Sequence, residues 1–237
     1  MVRRQVVLPP GAKLIRTGGR PQTLIIVLLA LHIGLFLLYA FAGGPAWINQ
    51  HLALSARQAL GKLELWQPLS AFWLHVNAIP LAVNMITLWF FGTSLLRWWG
   101  GGRFFAFYVI TGVVGLVAAM FAGLAWPLTI VSGSSGAAIA MLVAFAVLFP
   151  DHMVFFYGVL PLKAKWLGLL LVIFVLIGTV IRGDFIELAL QGGGAVAALL
   201  FLYNPRKLIG MWRLSRAKKK LKVIDGGKKR DEPKYLN

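Results

Sequence analysis

The chain has 237 residues, of which 59% are hydrophobic and only 13% are charged. A soluble domain of this length carries about 25% charged residues, so the composition excludes an ordinary soluble enzyme and indicates an all-α, polytopic membrane protein. The chain contains no cysteine, which excludes disulfides and thiolate metal sites.

The net charge of +17 is concentrated at the two ends, with five of the 24 basic residues before the first apolar segment and twelve from Arg206 onward. Basic flanks on an apolar bundle indicate topology first, so nucleic acid is not an expected partner. We expect residues 1–20 to form a basic cytoplasmic N-terminal tail without a cleavable signal peptide. Residues 21–205 are expected to form the membrane domain, and 206–237 a basic cytoplasmic C-terminal tail. The tails either bind anionic lipid headgroups or are simply solvated.

Apolar segments suited to a membrane recur along the chain. Six spans are predicted: 22–42, 71–96, 104–125, 134–148, 166–181 and 186–203. Residues 43–66 are predicted to form an outer loop with a short interfacial helix, and residues 151–165 a polar connection.

The charges in the connections predict the orientation. Four basic residues lie on the same side as both tails: Arg97, Arg103, Lys163 and Lys165. The opposite side has three basic residues balanced by three acidic ones: Arg57, Lys62 and Arg182 against Glu64, Asp184 and Glu187. The positive-inside bias therefore predicts that both termini are cytoplasmic, in a bacterial inner membrane. Ser135 and Gln191 then lie near the outer ends of their spans.

The span at 134–148 begins with two hydroxyls, Ser134 and Ser135. Small residues recur every four positions after them: Gly136, Ala140 and Ala144. These residues share one helix face, which lets a neighbouring backbone approach closely. A hydroxyl at the start of such a buried helix is either a helix cap or a nucleophile.

A serine nucleophile needs a proton acceptor. The glycine-rich start of the last span is the expected neighbour of Ser135, but the residue it presents is Gln191, and a glutamine cannot take up a proton at neutral pH. His75 and His51 lie on the same side as Ser135 and are alternative bases. Asn84 lies well inside its span and either bridges helices or serves the site.

Several segments, in this order, resemble the rhomboid family of intramembrane serine proteases over roughly residues 62–204. They are Leu65–His75, Asn84–Gly92, Gly133-Ser134-Ser135-Gly136, Phe149–Asp151, Leu160–Lys165 and the Gly193-Gly194-Ala195 stretch. The resemblance implies a six-transmembrane-helix bundle with Ser135 at the nucleophile position. It also implies that His75 and Asn84 occupy positions on the oxyanion side.

The departures from the family pattern concern the catalytic machinery. Gln191 stands where the family has its general-base histidine, Pro80 where it has a second histidine, and Leu96 where it has a glutamate. The resemblance therefore implies the fold without proteolysis. We expect a pseudoprotease that binds transmembrane segments of other membrane proteins, or a subunit of a membrane assembly. The alternative is an active rhomboid serine endopeptidase that uses Ser135 with a non-standard base. No metal or organic cofactor is indicated.

Overall fold

The computed structural model describes residues 22–126, 128–156 and 160–203. The predicted tails at 1–20 and 206–237 lie outside these residues. The helices are α1 (Gln22–Phe41), α2 (Ala46–His51), α3 (Ala56–Ala59), α4 (Gln67–Trp73), α5 (Ala78–Thr87), α6 (Thr93–Trp99), α7 (Gly101–Ala122), α8 (Ser135–Leu148), α9 (Ala164–Ile181) and α10 (Phe185–Leu202). A π-helical turn at Leu88–Gly92 joins α5 to α6, and two strands, β1 (Met153–Phe156) and β2 (Leu160–Lys163), precede α9.

Within the described residues, five helical segments are long and apolar enough to cross a membrane. They are Gln22–Phe41, Ala78–Trp99, Gly101–Ala122, Ala164–Ile181 and Phe185–Leu202. The protein is therefore an integral, multi-pass membrane protein. The sixth predicted span, α8, has 14 residues and is about 21 Å long, which is less than the roughly 30 Å of a hydrocarbon core.

The predicted span at 71–96 is wrong at its start. Helix α4 ends at Trp73, the backbone is extended at Leu74 and Asn77, and the spanning helix begins only at Ala78. The physical reason is Pro80, which a helix accepts in its first turn but not in its interior. His75 consequently lies in the break between α4 and α5 and not on the same helix as Asn84.

The two connections are also more structured than predicted. The loop at 43–66 contains two short helices, α2 and α3, and Leu54 forms an isolated β-bridge with Val131. The polar connection at 151–165 contains an antiparallel hairpin in which Met153 pairs with Lys163. The apolar and aromatic residues of β1 favour a strand, and a two-stranded hairpin has the free edges that accept Pro161.

Three glycines bring the backbones of α7, α8 and α10 together. A Cβ atom on Gly115 would lie 2.5 Å from the Leu190 carbonyl oxygen, and one on Gly136 would lie 3.1 Å from the same oxygen. A Cβ on Gly194 would overlap the backbone of Gly136. Gly136, the first residue of the predicted small-residue face of α8, thus lies at the close helix contact, and Ala140 and Ala144 of that face are buried.

We predict that Gly194→Ala destabilises the bundle by about 1–3 kcal/mol, because the added methyl group forces α8 away from α10. Gly192 is a matched control on the same helix, since a Cβ there meets no atom within 4 Å. Thermal unfolding in detergent micelles measures both variants. An equal loss of stability for Gly192→Ala would contradict the proposed backbone contact.

Candidate functional site

The start of α8 is shaped by Gly133 and Ser134. Gly133 has a φ of +108° and donates its N–H to the Ala71 carbonyl at 2.8 Å. A Cβ on Gly133 would lie 3.1 Å from His75 Nε2, so glycine is needed both for the backbone angle and for space. The hydroxyl of Ser134 does not cap the helix and is buried beside the Tyr108 hydroxyl. Ser135, the next residue, is half-buried.

His75 and Asn84 form a buried polar pair against this segment. Asn84 Nδ2 donates to His75 Nε2 at 3.2 Å, and the Ser134 N–H approaches the same nitrogen at 3.4 Å. Because Nε2 accepts both contacts, the neutral ring carries its proton on Nδ1. Burial lowers the pKa of His75 from 6.5 to about 4, so the ring is neutral at pH 7. It contacts the backbone before Ser135 and not the Ser135 hydroxyl.

Gln191 is fixed by hydrogen bonds to two side chains. Its Nε2 donates to Glu187 Oε1 at 3.0 Å, and the Thr179 hydroxyl donates to its Oε1 at 3.3 Å. Arg182 Nη2 donates to Thr179 Oγ1, also at 3.3 Å. Gln191 is only 4% exposed, so its amide is held in one orientation between α9 and α10.

Glu187 is the site residue that sequence reasoning missed. The charge pattern counts it among the acidic residues that balance Arg57, Lys62 and Arg182, but it lies within α10, one helical turn before Gln191. Ser135, the first residue of α8, lies beside this carboxylate, although no hydrogen bond joins the two side chains. The sequence signal was the spacing of Glu187 and Gln191, since residues four apart share a helix face.

Two further histidines, His51 and His32, have hydrogen-bond partners elsewhere, and the exposed His152 lies at the other end of α8. His51 Nδ1 lies 2.9 Å from Glu64 Oε1. His32 Nε2 lies 2.9 Å from the Tyr108 hydroxyl, and its Nδ1 lies 3.3 Å from the Trp73 carbonyl oxygen. Among the described residues, no imidazole is hydrogen-bonded to Ser135, so the structure gives no support to His51 or His75 as its base.

The two remaining departures from the family pattern lie away from this polar cluster. Pro80 is exposed in the first turn of α5. Leu96 is buried in the hydrophobic core. Neither position supplies a polar group to Ser135.

Together these features define a class: a multi-pass helical membrane protein with a serine at the start of a short central helix, packed against a glycine-rich final helix. Comparison with known families gives the specific assignment. The Rhomboid domain family matches residues 62–204, which is more than half of the chain. The chain therefore belongs to the rhomboid family.

Two curated relatives show the range of the similarity. The chain is 32% identical over 103 residues to the Rhomboid protease GluP of Bacillus subtilis, covering 43% of this chain and 20% of that protein. It is 25% identical over 201 residues to the mitochondrial Rhomboid protein 1 of Saccharomyces cerevisiae, covering 83% of this chain and 57% of that protein. The chain thus spans only part of the length of either relative.

The lowered pKa of His75 predicts a pH-dependent stability. The unfolded chain takes up a proton as the pH falls below about 6.5, whereas the folded protein resists protonation down to about pH 4. Stability is therefore present above pH 6.5 and is lost as the pH falls toward 4. We expect the wild type to lose about 3 kcal/mol more than His75→Gln between neutral pH and pH 4.

Chemical unfolding in mixed micelles at several pH values measures this difference. The exposed His152, at the other end of α8, provides the control, and His152→Gln should keep the wild-type profile. Parallel profiles for the wild type and His75→Gln would show that His75 is not buried in its neutral form.

Proposed function

We propose that this rhomboid-family protein binds transmembrane segments of other membrane proteins beside Ser135 and does not cleave them by a serine–histidine mechanism. The observation that carries the proposal is the hydrogen bonding of the Gln191 side-chain amide. The resemblance to the family implies that Gln191 stands where the general base would be, and its amide is hydrogen-bonded to Glu187 and Thr179. An amide in this position cannot accept the serine proton. Loss of a general base lowers a reaction rate by about 10²–10⁴-fold.

The site retains features that suit binding. Helix α5 exposes Ile79, Val83 and Ile86 on its surface, and such an apolar face fits the side of another transmembrane helix. Between helices in lipid, association depends on close packing and on polar contacts. The polar group formed by Ser135, Glu187 and Gln191 supplies hydrogen-bonding partners for polar atoms of a bound segment.

A role as a subunit of a larger membrane assembly is compatible with this function, because a bound transmembrane segment can belong to a permanent partner. The basic tails add a second kind of contact, to anionic lipid headgroups. We infer that the protein lies in a bacterial inner membrane with both termini in the cytoplasm. The support for this orientation is the excess of basic residues in the connections on the side of the tails.

The orientation is directly testable because the chain has no cysteine. A single cysteine introduced by Leu124→Cys, in the turn after α7, should react with a membrane-impermeant thiol reagent added outside the cell. A cysteine introduced by Lys163→Cys, before α9, should react only after the membrane is opened. The reverse pattern would place the termini outside.

The binding function is testable with a photo-crosslinking residue at Ile79. The control position is Leu38 on α1, because the two side chains are similarly exposed, at 79% and 70%. We expect Ile79, but not Leu38, to crosslink single-pass membrane proteins in their full-length, uncut form. Equal crosslinking at both positions would indicate random encounters in the lipid and would contradict a specific site.

The same assay tests why clients remain uncut. Gln191→His places an imidazole at the base position, next to the Glu187 carboxylate that can orient it. We expect this variant, alone or with Pro80→His, to convert the crosslinked clients into fragments, and Ser135→Ala in the same background to abolish the fragments. Wild-type fragments as abundant as those of Gln191→His, and lost with Ser135→Ala, would contradict a protein that binds its clients and leaves them largely uncut.

A second candidate function is an active intramembrane serine endopeptidase with a non-standard base. One observation favours it, namely the position of the Glu187 carboxylate beside Ser135. The activity of such an enzyme would depend on Glu187 and would not require a histidine, whereas the first candidate has no proteolytic activity. The two candidates share the binding site and differ only in whether Ser135 reacts.

A further inference from the structure

We propose that Glu187 is the proton acceptor of Ser135, so that the two residues form a serine–carboxylate pair able to take up acyl groups slowly. This inference rests on the proposed binding of transmembrane segments at the same site. It adds that the site can carry out acyl transfer without a histidine. The expected rate is low, because the usual pKa of a carboxylic acid lies about two units below that of imidazole and makes it the weaker base.

The backbone packing places the two side chains together. Ser135 precedes Gly136, whose Cα hydrogens face the Leu190 carbonyl across the contact of α8 with α10. Leu190 is flanked on its helix by Gln191 and, one turn earlier, by Glu187. Because Gly194 lets the α8 backbone come this close, the first residue of α8 is held against the Glu187–Gln191 face of α10.

The hydrogen bonds around Glu187 leave one of its carboxylate oxygens free to accept the Ser135 proton. Its Oε1 accepts the Gln191 amide proton at 3.0 Å, so Oε2 is available to Ser135. In the described part of the chain, Glu187 forms no ion pair within 4.0 Å; its neighbouring charges are Asp184 and Arg182. A carboxylate that is oriented but not neutralised by a cation remains able to accept a proton.

Gln191 then has a positioning role instead of an acid–base role. In a serine triad, the third member holds the base in its productive orientation. Here Gln191 donates to the carboxylate while Thr179 fixes the opposite side of the amide. The same substitution that removes an imidazole from this position supplies the orienting hydrogen bond for a different base.

The remaining requirement is a group that stabilises negative charge on the substrate oxygen. The first backbone N–H groups of a helix have no partner within the helix, and the positive end of the helix dipole favours an anion there. Ser135 is the first residue of α8. Asn84 Nδ2 lies against the Gly133 segment, and because it donates one N–H to His75 Nε2, its second N–H remains for the substrate oxygen.

The chemical step balances within this set. The Ser135 Oγ–H proton moves to Glu187 as the Oγ–carbon bond forms and the carbonyl electron pair moves to oxygen. When the C–N bond breaks, the leaving amine takes the proton from Glu187, and an ester on Ser135 remains. A water molecule then attacks the ester, its proton passes through Glu187 to Ser135 Oγ, and the free acid is released.

Labelling with a fluorophosphonate probe tests the assignment without a known client. The Ser135 Oγ–phosphorus bond forms, the phosphorus–fluorine bond breaks, fluoride leaves, and the serine proton passes to Glu187. We expect slow labelling of the full chain in micelles that Ser135→Ala abolishes. Glu187→Gln, which keeps the size and the hydrogen-bond acceptor but removes the base, should slow it by about 100-fold or more.

The matched control is Asp184→Asn. Asp184 Oδ1 accepts the Glu187 N–H at 3.0 Å, and asparagine keeps that acceptor, so this variant should label at nearly the wild-type rate. Gln191→His added to Glu187→Gln tests whether the site is still formed, because a new imidazole should restore labelling.

Three results would overturn the assignment: no labelling of the wild type above Ser135→Ala, wild-type labelling of Glu187→Gln, or a loss that Gln191→His does not restore. Each of these results leaves the crosslinking of clients from Ile79 unaffected. The labelling experiment can therefore refute Glu187 as the base without refuting the proposed binding site.

Discussion

The contact between the backbones of α8 and α10 is the constraint on which the rest of the site depends. A Cβ atom on Gly194 would overlap Gly136, and one on Gly136 would press on the Leu190 carbonyl. In lipid, where apolar side chains gain nothing by leaving water, such close packing is the main source of helix association. It also sets the lateral position of Ser135, because Ser135 directly precedes the closest point of contact.

A second consequence follows from the length of α8. A helix of 14 residues covers only about two thirds of a hydrocarbon core, so polar groups at its start need partners inside the protein. The structure provides them in two separate groups. His75 and Asn84 interact with the backbone before the helix, whereas Glu187, Gln191 and Thr179 lie on the side of α10. Ser134 contacts the first group through its N–H, and Ser135 begins α8 at its contact with α10.

Much of this arrangement can be predicted from sequence. The rhomboid family and the multi-pass membrane class are confirmed. Both could be predicted because long apolar helices and a Gly-Ser-Ser-Gly stretch are local patterns in the sequence. The break between α4 and α5 was missed, since an apolar run continues through it and only Pro80 indicates the true start of the helix. Glu187 was missed for another reason: near a span end, a carboxylate is read first as a topology charge, and only helix packing shows that it faces Ser135.

The exchange of histidine for glutamine at position 191 has two physical effects that act in opposite directions. It removes a group that can take up a proton, and it places an N–H donor 3.0 Å from a carboxylate one turn away. A carboxylate in a membrane span is costly unless it is paired or hydrogen-bonded, and such residues mark functional sites by default. A histidine at this position would pair with Glu187 and hold it as an orienting anion, but glutamine leaves Glu187 with its own basicity. The identity of residue 191 therefore decides which side chain acts as the base for Ser135. With histidine the base is residue 191 itself, and with glutamine it is Glu187.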